Sequence, residues 1–241
     1  MKKNCLLLSC FGAVFNITAA ENTAVELISI KEKVNHAITK VEQTQRELWS
    51  YDISRYENEE GDISSSIEQY SPQASQRWQL KKVNGHLPTQ KQLEDFSKEK
   101  QAQSNKTKQG NHVQLKLREL INQESLTLVS NDEKNIVMAF NVNLKKLGKD
   151  SVGKLQGQLT YQKNEQFIEK ISIWNNADFS PMFTANITDL AITFTFLHLN
   201  GAVLTKQNEM KMKGSFAYFT EINETSIDIF SGYQYQGKQA N

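Results

Sequence analysis

The sequence predicts an α+β protein: an open, strongly curved antiparallel sheet of roughly nine to eleven strands, an N-terminal helix and short covering helices. Three observations predict it. A long helical stripe of apolar residues lies within the first 50 residues. From Ser125 onward, runs of alternating apolar and polar residues follow one another. These runs are separated by tight turn signals rather than by helices, as in a meander and not in βαβ units.

Composition supports a folded chain. Of 241 residues, 38% are hydrophobic and 23% charged, which excludes a wholly disordered protein. Three prolines and 11 glycines are too few for a collagen-like or low-complexity chain. The net charge of +1 gives no reason to expect nucleic acid as a partner.

The first 20 residues read as a secretory signal peptide. Lys2 and Lys3 form its charged start, Cys5 to Ile17 is mostly apolar, and Thr18-Ala19-Ala20 offers small residues for cleavage. The apolar stretch falls short of the about 20 residues that a membrane span needs. The alternative is lipidation at Cys10, since Leu7-Leu8-Ser9-Cys10 resembles a lipobox; only Asn4 to Ser9 would then precede the cysteine. The expected protein is therefore residues 21–241, periplasmic or secreted. Cys5 and Cys10 both leave with the signal, which excludes disulfides and thiolate catalysis.

Between Ala24 and Leu48, the residues Leu27, Ile30, Val34, Ile38 and Val41 step by three or four and form one stripe. The other face is polar without being notably basic, as expected of a helix packed on a sheet rather than on a membrane. Trp49, Tyr51 and Ile53 then alternate with Ser50, Asp52 and Ser54 in a strand. Glu59-Glu60-Gly61-Asp62 is a turn, Ile63 to Tyr70 a second strand, and Arg77 to Val83 a third that ends at Asn84-Gly85. Thr89 starts a helix with a capping box completed by Gln92. Ser97 to Asn111 holds Ala102 as its only apolar residue and reads as a frayed helix end and flexible loop. A short helix over Val113 to Ile121 turns Leu117, Leu120 and Ile121 inward.

The remaining runs are strands. They cover Leu126 to Leu128, Ile136 to Leu144, Leu155 to Tyr161, Ile168 to Trp174, Ile192 to Phe196, Met210 to Tyr218 and Ile227 to Tyr235. Asn200-Gly201 is a further hairpin signal.

Reactive motifs are missing. No Gly-x-Ser-x-Gly elbow, His-Glu-x-x-His helix or phosphate-binding loop occurs. His36, His86, His112 and His198 are scattered without ligand spacing, and His198 reads as a rim or core residue. No cofactor is expected.

The C-terminal strands are rich in aromatic residues and methionine. A long curved sheet with few helices exposes more apolar face than they cover, and methionine suits a surface that repacks around varied ligands. Trp174, Met182, Phe194, Phe196, Met210, Met212, Phe216 and Tyr218 are the expected ligand-binding residues on that face. Each has a second reading as packed core.

An exported N-terminal helix, a large antiparallel meander and short helices in the early half together resemble the bacterial lipoprotein-localisation carriers, the LolA/LolB-like fold. The stretch from Tyr70 through Arg77-Trp78, Leu80, Val83-Asn84-Gly85 and Pro88-Thr89 to Leu93 and Phe96 looks like one in uncharacterised proteobacterial envelope proteins. The resemblance implies an incomplete barrel closed by helices over a hydrophobic cavity. It also implies a role for Arg55 like that of a basic residue holding a lid. The 97–111 stretch departs from the compact carriers.

The expected function is non-enzymatic: a periplasmic carrier of an apolar ligand such as lipid or lipoprotein acyl chains. Lipid or lipoprotein is the expected partner, and a membrane-associated partner stays open. Two other readings stay open: an envelope scaffold whose sheet face is fully packed, and an enzyme whose site is assembled from distant residues.

Overall fold

A computed structural model describes residues 15–108, 116–144, 147–217 and 220–237, with side chains from Val25 onward except those of 106–108. Helix α1 spans Phe15–Gln43 and runs on through the expected cleavage point after Ala20. The charged start of the expected signal, its two cysteines and most of its apolar stretch lie outside the described residues.

Eleven strands form one antiparallel sheet: β1 (Trp49–Glu59), β2 (Asp62–Tyr70), β3 (Trp78–Val83), β4 (Thr127–Asn131), β5 (Asn135–Asn141), β6 (Leu155–Gln162), β7 (Phe167–Asn175), β8 (Phe179–Met182), β9 (Ala185–Leu199), β10 (Ala202–Phe216) and β11 (Thr220–Tyr235). The spatial order is β3-β2-β1-β11-β10-β9-β7-β6-β5-β4, with β8 paired to the end of β9. The sheet is not closed: β3 and β4 are its two edges. They are consecutive strands, so the chain between them returns from one edge to the other. That connection carries α2 (Gln90–Lys108) and α3 (Leu117–Leu120). The last strand pairs with the first, which joins the two meanders into one sheet.

The hairpins follow their turn chemistry. Asn84-Gly85 and Asn200-Gly201 both adopt positive φ at two successive residues, as a tight hairpin requires. In β6, Gly157 lies beneath the ring of Phe140; a Cβ there would come within 2.3 Å of it.

The apolar stripe of α1 covers one half of the sheet. Ile30, Val34, Ala37, Ile38 and Val41 are buried against Ile136 and Met138 of β5, Leu159 of β6, Ile171 and Ile173 of β7, and Leu120 of α3. Each fully buried side chain of this size contributes roughly 1.5–3 kcal/mol. Leu117, Leu120 and Ile121 are inward as expected.

Helix α2 is longer than its composition predicts. It starts with the expected capping box, in which the Thr89 backbone N–H donates to Gln92 Oε1 at 2.8 Å. It then continues through most of the stretch expected to be a loop. Side-chain pairs one turn apart support it: Gln90 donates to Glu94 at 2.9 Å and Gln103 to Glu99 at 2.8 Å. Lys100 adds a tertiary anchor that no periodicity signals. The expected loop positions 109–111 lie outside the described residues.

Candidate functional site

One row of paired residues crosses the sheet on the face that α1 covers. It runs Arg55, Asp228, Asn208, Phe194, Ile171, Leu159, Met138, each facing the next across a strand boundary. The row changes character along its length. Ile171, Leu159 and Met138 are fully buried under α1. Phe194, Asn208, Asp228 and Arg55 are only half-buried.

The half-buried part widens into a strip. The neighbouring cross-strand pairs are Ile192 with Met210 and Leu190 with Met212. Ile192, Phe194 and Met212 pack against the core from its margin, and Met210 lies beside them, half-buried. From the Phe194 row to the Leu190 row the strip is about 13 Å long at roughly 3.3 Å per residue.

Beyond the strip lies a charge cluster. Arg55 Nε donates to Glu68 Oε1 at 2.7 Å and Nη1 to Asp228 Oδ2 at 2.6 Å. Lys100 of α2 reaches down to Glu68 Oε2 at 2.9 Å. Its ammonium also lies 4.6 Å from the Trp78 ring centroid and 4.9 Å from that of Phe96. Two cations thus meet two carboxylates, and Glu68 is only 5% exposed. Burial works against the charged guanidinium, but Glu68 and Asp228 outweigh it and hold the Arg55 pKa above its ordinary value. Burial raises the Asp228 carboxyl, with Arg55 opposing.

An aromatic cluster adjoins the charges. Tyr51 is its hub, with ring centroids 5.2 Å from Tyr70, 5.3 Å from Tyr233, 5.9 Å from Phe230 and 6.1 Å from Trp78. Burial, reinforced by Tyr70, pushes the Tyr51 phenol up to about 12. Tyr233 donates its hydroxyl to the Thr205 carbonyl at 2.6 Å, and burial raises its pKa as well.

The expected binding residues divide. Phe194, Met210 and Met212 lie in the strip. Phe196 shares their face but is 5% exposed and belongs to the core. Trp174 is a correction. It pairs with Ala191 while its neighbour Ile173 pairs with Ile192, so it lies on the opposite face, 37% exposed. Met182 ends β8 at 58% exposure and Phe216 ends β10 at 45%, both away from the strip's centre. Tyr218 lies outside the described residues. His198 sits at the rim as expected, stacked on Phe167 and 3.6 Å from Glu165.

Sequence reasoning missed Glu68, Lys100, Asp228 and Tyr51. A signal for the cluster was present, because Tyr51, Ile53 and Arg55 alternate and place an arginine on an otherwise apolar face. A charge there implies buried partners.

Away from the strip, a cleft lies at the far ends of two hairpins, lined by Asn58, Glu60, Gly61, Thr220, Glu221 and Asn223. It is acidic: burial and the charges of Glu59 and Glu60 raise the pKa of nearby Glu224. Among the described residues, no group of three or more histidines, cysteines or carboxylates could hold a metal. No described helix is long and apolar enough to cross a membrane.

No protein-family model matches the chain, and no curated protein matches it. Among solved structures, it is similar to a DUF1329 family protein from Desulfovibrio piger, at 8% identity over 85% of this chain and 92% of that one, with a TM-score of 0.33. At that score the likeness assigns nothing to this chain.

Proposed function

We propose that this protein is a non-enzymatic carrier that works in the bacterial periplasm and takes an apolar ligand, such as the acyl chains of a lipid or lipoprotein. The observation that carries this reading is the strip of Ile192, Phe194, Met210 and Met212, left half-buried between the core under α1 and the charge cluster under α2. An acyl chain laid on it would gain roughly 25 cal/mol for each Å² of apolar surface removed from water.

Helix α2 suits a movable cover. Its described contacts with the sheet centre on the Lys100–Glu68 ion pair and on Phe96, rather than on a broad apolar stripe. A cover held by a few polar contacts can lift without exposing a large apolar surface. Arg55 fits the lid-holding role that the family resemblance implies, acting through Glu68.

The scaffold reading has one observation in its favour: Phe196, on the same face, is already packed core. Titration with an apolar fluorescent dye separates the two. A carrier binds the dye and releases it to added acyl chains, whereas a packed scaffold binds none.

A further inference from the structure

Two arginines lie half-buried on the helix-covered face, Arg46 and Arg55, and only one is neutralised. Arg55 meets two carboxylates. Arg46, in the short 3-10 turn Arg46–Leu48 between α1 and β1, meets none among the described residues. Its Nε is sealed from solvent without a hydrogen-bond partner. Its electrostatic neighbours are Tyr233 and Tyr51, and burial lowers its pKa. A half-buried guanidinium with its Nε sealed and no carboxylate beside it among the described residues carries an uncompensated cost, and an anion beside it would relieve that cost.

The position also fits the strip. Thr44, two residues before Arg46, accepts a hydrogen bond from the Val203 backbone N–H at 3.1 Å, which seats the end of α1 at the start of β10. Tyr233, the neighbour of Arg46, donates to Thr205, and Thr205 is paired with Phe196. Arg46 therefore stands at the Phe196 end of the apolar strip. A group with a charged head at Arg46 and a chain running past Phe194 towards Met212 matches both features.

We propose that Arg46 is the head-group site of the carrier, so that the ligand is an anionic amphiphile whose carboxylate or phosphate oxyanion binds Arg46 while its chain lies on the strip. The tail half of this assignment rests on the carrier reading; the head half does not. Tyr51, an electrostatic neighbour of Arg46 whose hydroxyl has no hydrogen-bond partner among the described residues, would be the second donor to the same oxyanion.

The test is a calorimetric titration of the purified protein with dodecanoate, dodecyl phosphate and dodecanol, and with acetate and inorganic phosphate as tail-free anions. Wild type should bind the two charged amphiphiles roughly ten- to hundred-fold tighter than dodecanol, as one charge-assisted hydrogen-bonded contact predicts. R46Q should remove that preference and leave dodecanol binding unchanged, while R46K keeps part of it. Y51F should weaken the charged ligands several-fold and serves as the second variant if R46Q does not fold. Equal affinity for dodecanoate and dodecanol, or a preference that survives in R46Q, overturns the head-group site and leaves the carrier standing. Arg46-dependent binding of phosphate or acetate with no gain from a tail overturns the carrier and keeps the anion site, now for a free anion. No binding by any of the five removes both.

Discussion

Arg55 on the first strand and Asp228 on the last face each other across the sheet, with Arg55 Nη1 2.6 Å from Asp228 Oδ2. They are 173 residues apart in sequence. This contact pins the pairing that turns two separate meanders into one sheet. Glu68 then extends it to Lys100, so that the same cluster also ties down α2.

Removing Arg55 strands the Asp228 carboxylate in a poorly hydrated place and leaves Glu68 with Lys100 alone. Loss of one partner from a buried ion pair costs about 3–5 kcal/mol, and the partial exposure of Arg55 puts R55A near the low end. Denaturant unfolding should show this loss. A change within experimental error would mean that the cluster is solvated.

Lys100→Ala should free α2 while leaving the sheet intact. Lys98, with its side chain 75% exposed, is the adjacent trypsin site. Cleavage after Lys98 should speed up several-fold in the variant, because local opening sets proteolysis when reclosing is fast. Equal rates would show that Phe96 and the capping box hold α2 unaided.

Glu224 gives a pH prediction. Burial and the neighbouring Glu59 and Glu60 raise its pKa in the fold. The stabilisation linked to its proton is fully present below the ordinary glutamate pKa of about 4.3 and is lost as pH rises through the raised value. Glu224→Gln should therefore raise Tm at pH 7, and the gain should fade below about pH 4. A gain of equal size at both pH values would rule out the charge mechanism.

Gly157→Ala should destabilise the protein by about 1–3 kcal/mol through overpacking against Phe140. Thermal unfolding measures it. An unchanged Tm would mean that the Phe140 ring moves aside freely.

Much of the local structure was legible in the sequence. The stripe of α1, the capping box at Thr89 and the two Asn-Gly hairpins all follow from side-chain chemistry that acts over a few residues. Partnership between distant strands was not. Alternation tells which residues of one strand share a face, but not that β1 pairs with β11 or that β3 and β4 become edges. Strand β8 was missed because Pro181 hides so short a strand. Trp174 was misplaced although its own strand held the signal: Ile171 and Ile173 point inward, so their odd neighbour points out. The charge cluster assembles from four elements, and only Arg55, a charge in phase with Tyr51 and Ile53 on the apolar face, signalled it.

The central claim is that the strip binds an apolar chain. Its most direct measurement is the affinity of an apolar fluorescent dye for wild type and for Met210→Glu, with folding followed by circular dichroism. Met210 is half-buried in the strip, so the new carboxylate would face the ligand and carry the cost of an unpaired charge against an apolar surface. The account predicts that wild type binds the dye, that acyl chains displace it, and that Met210→Glu loses binding by at least tenfold while remaining folded. It is contradicted if wild type binds no dye and Met210→Glu unfolds, because that face is then packed core.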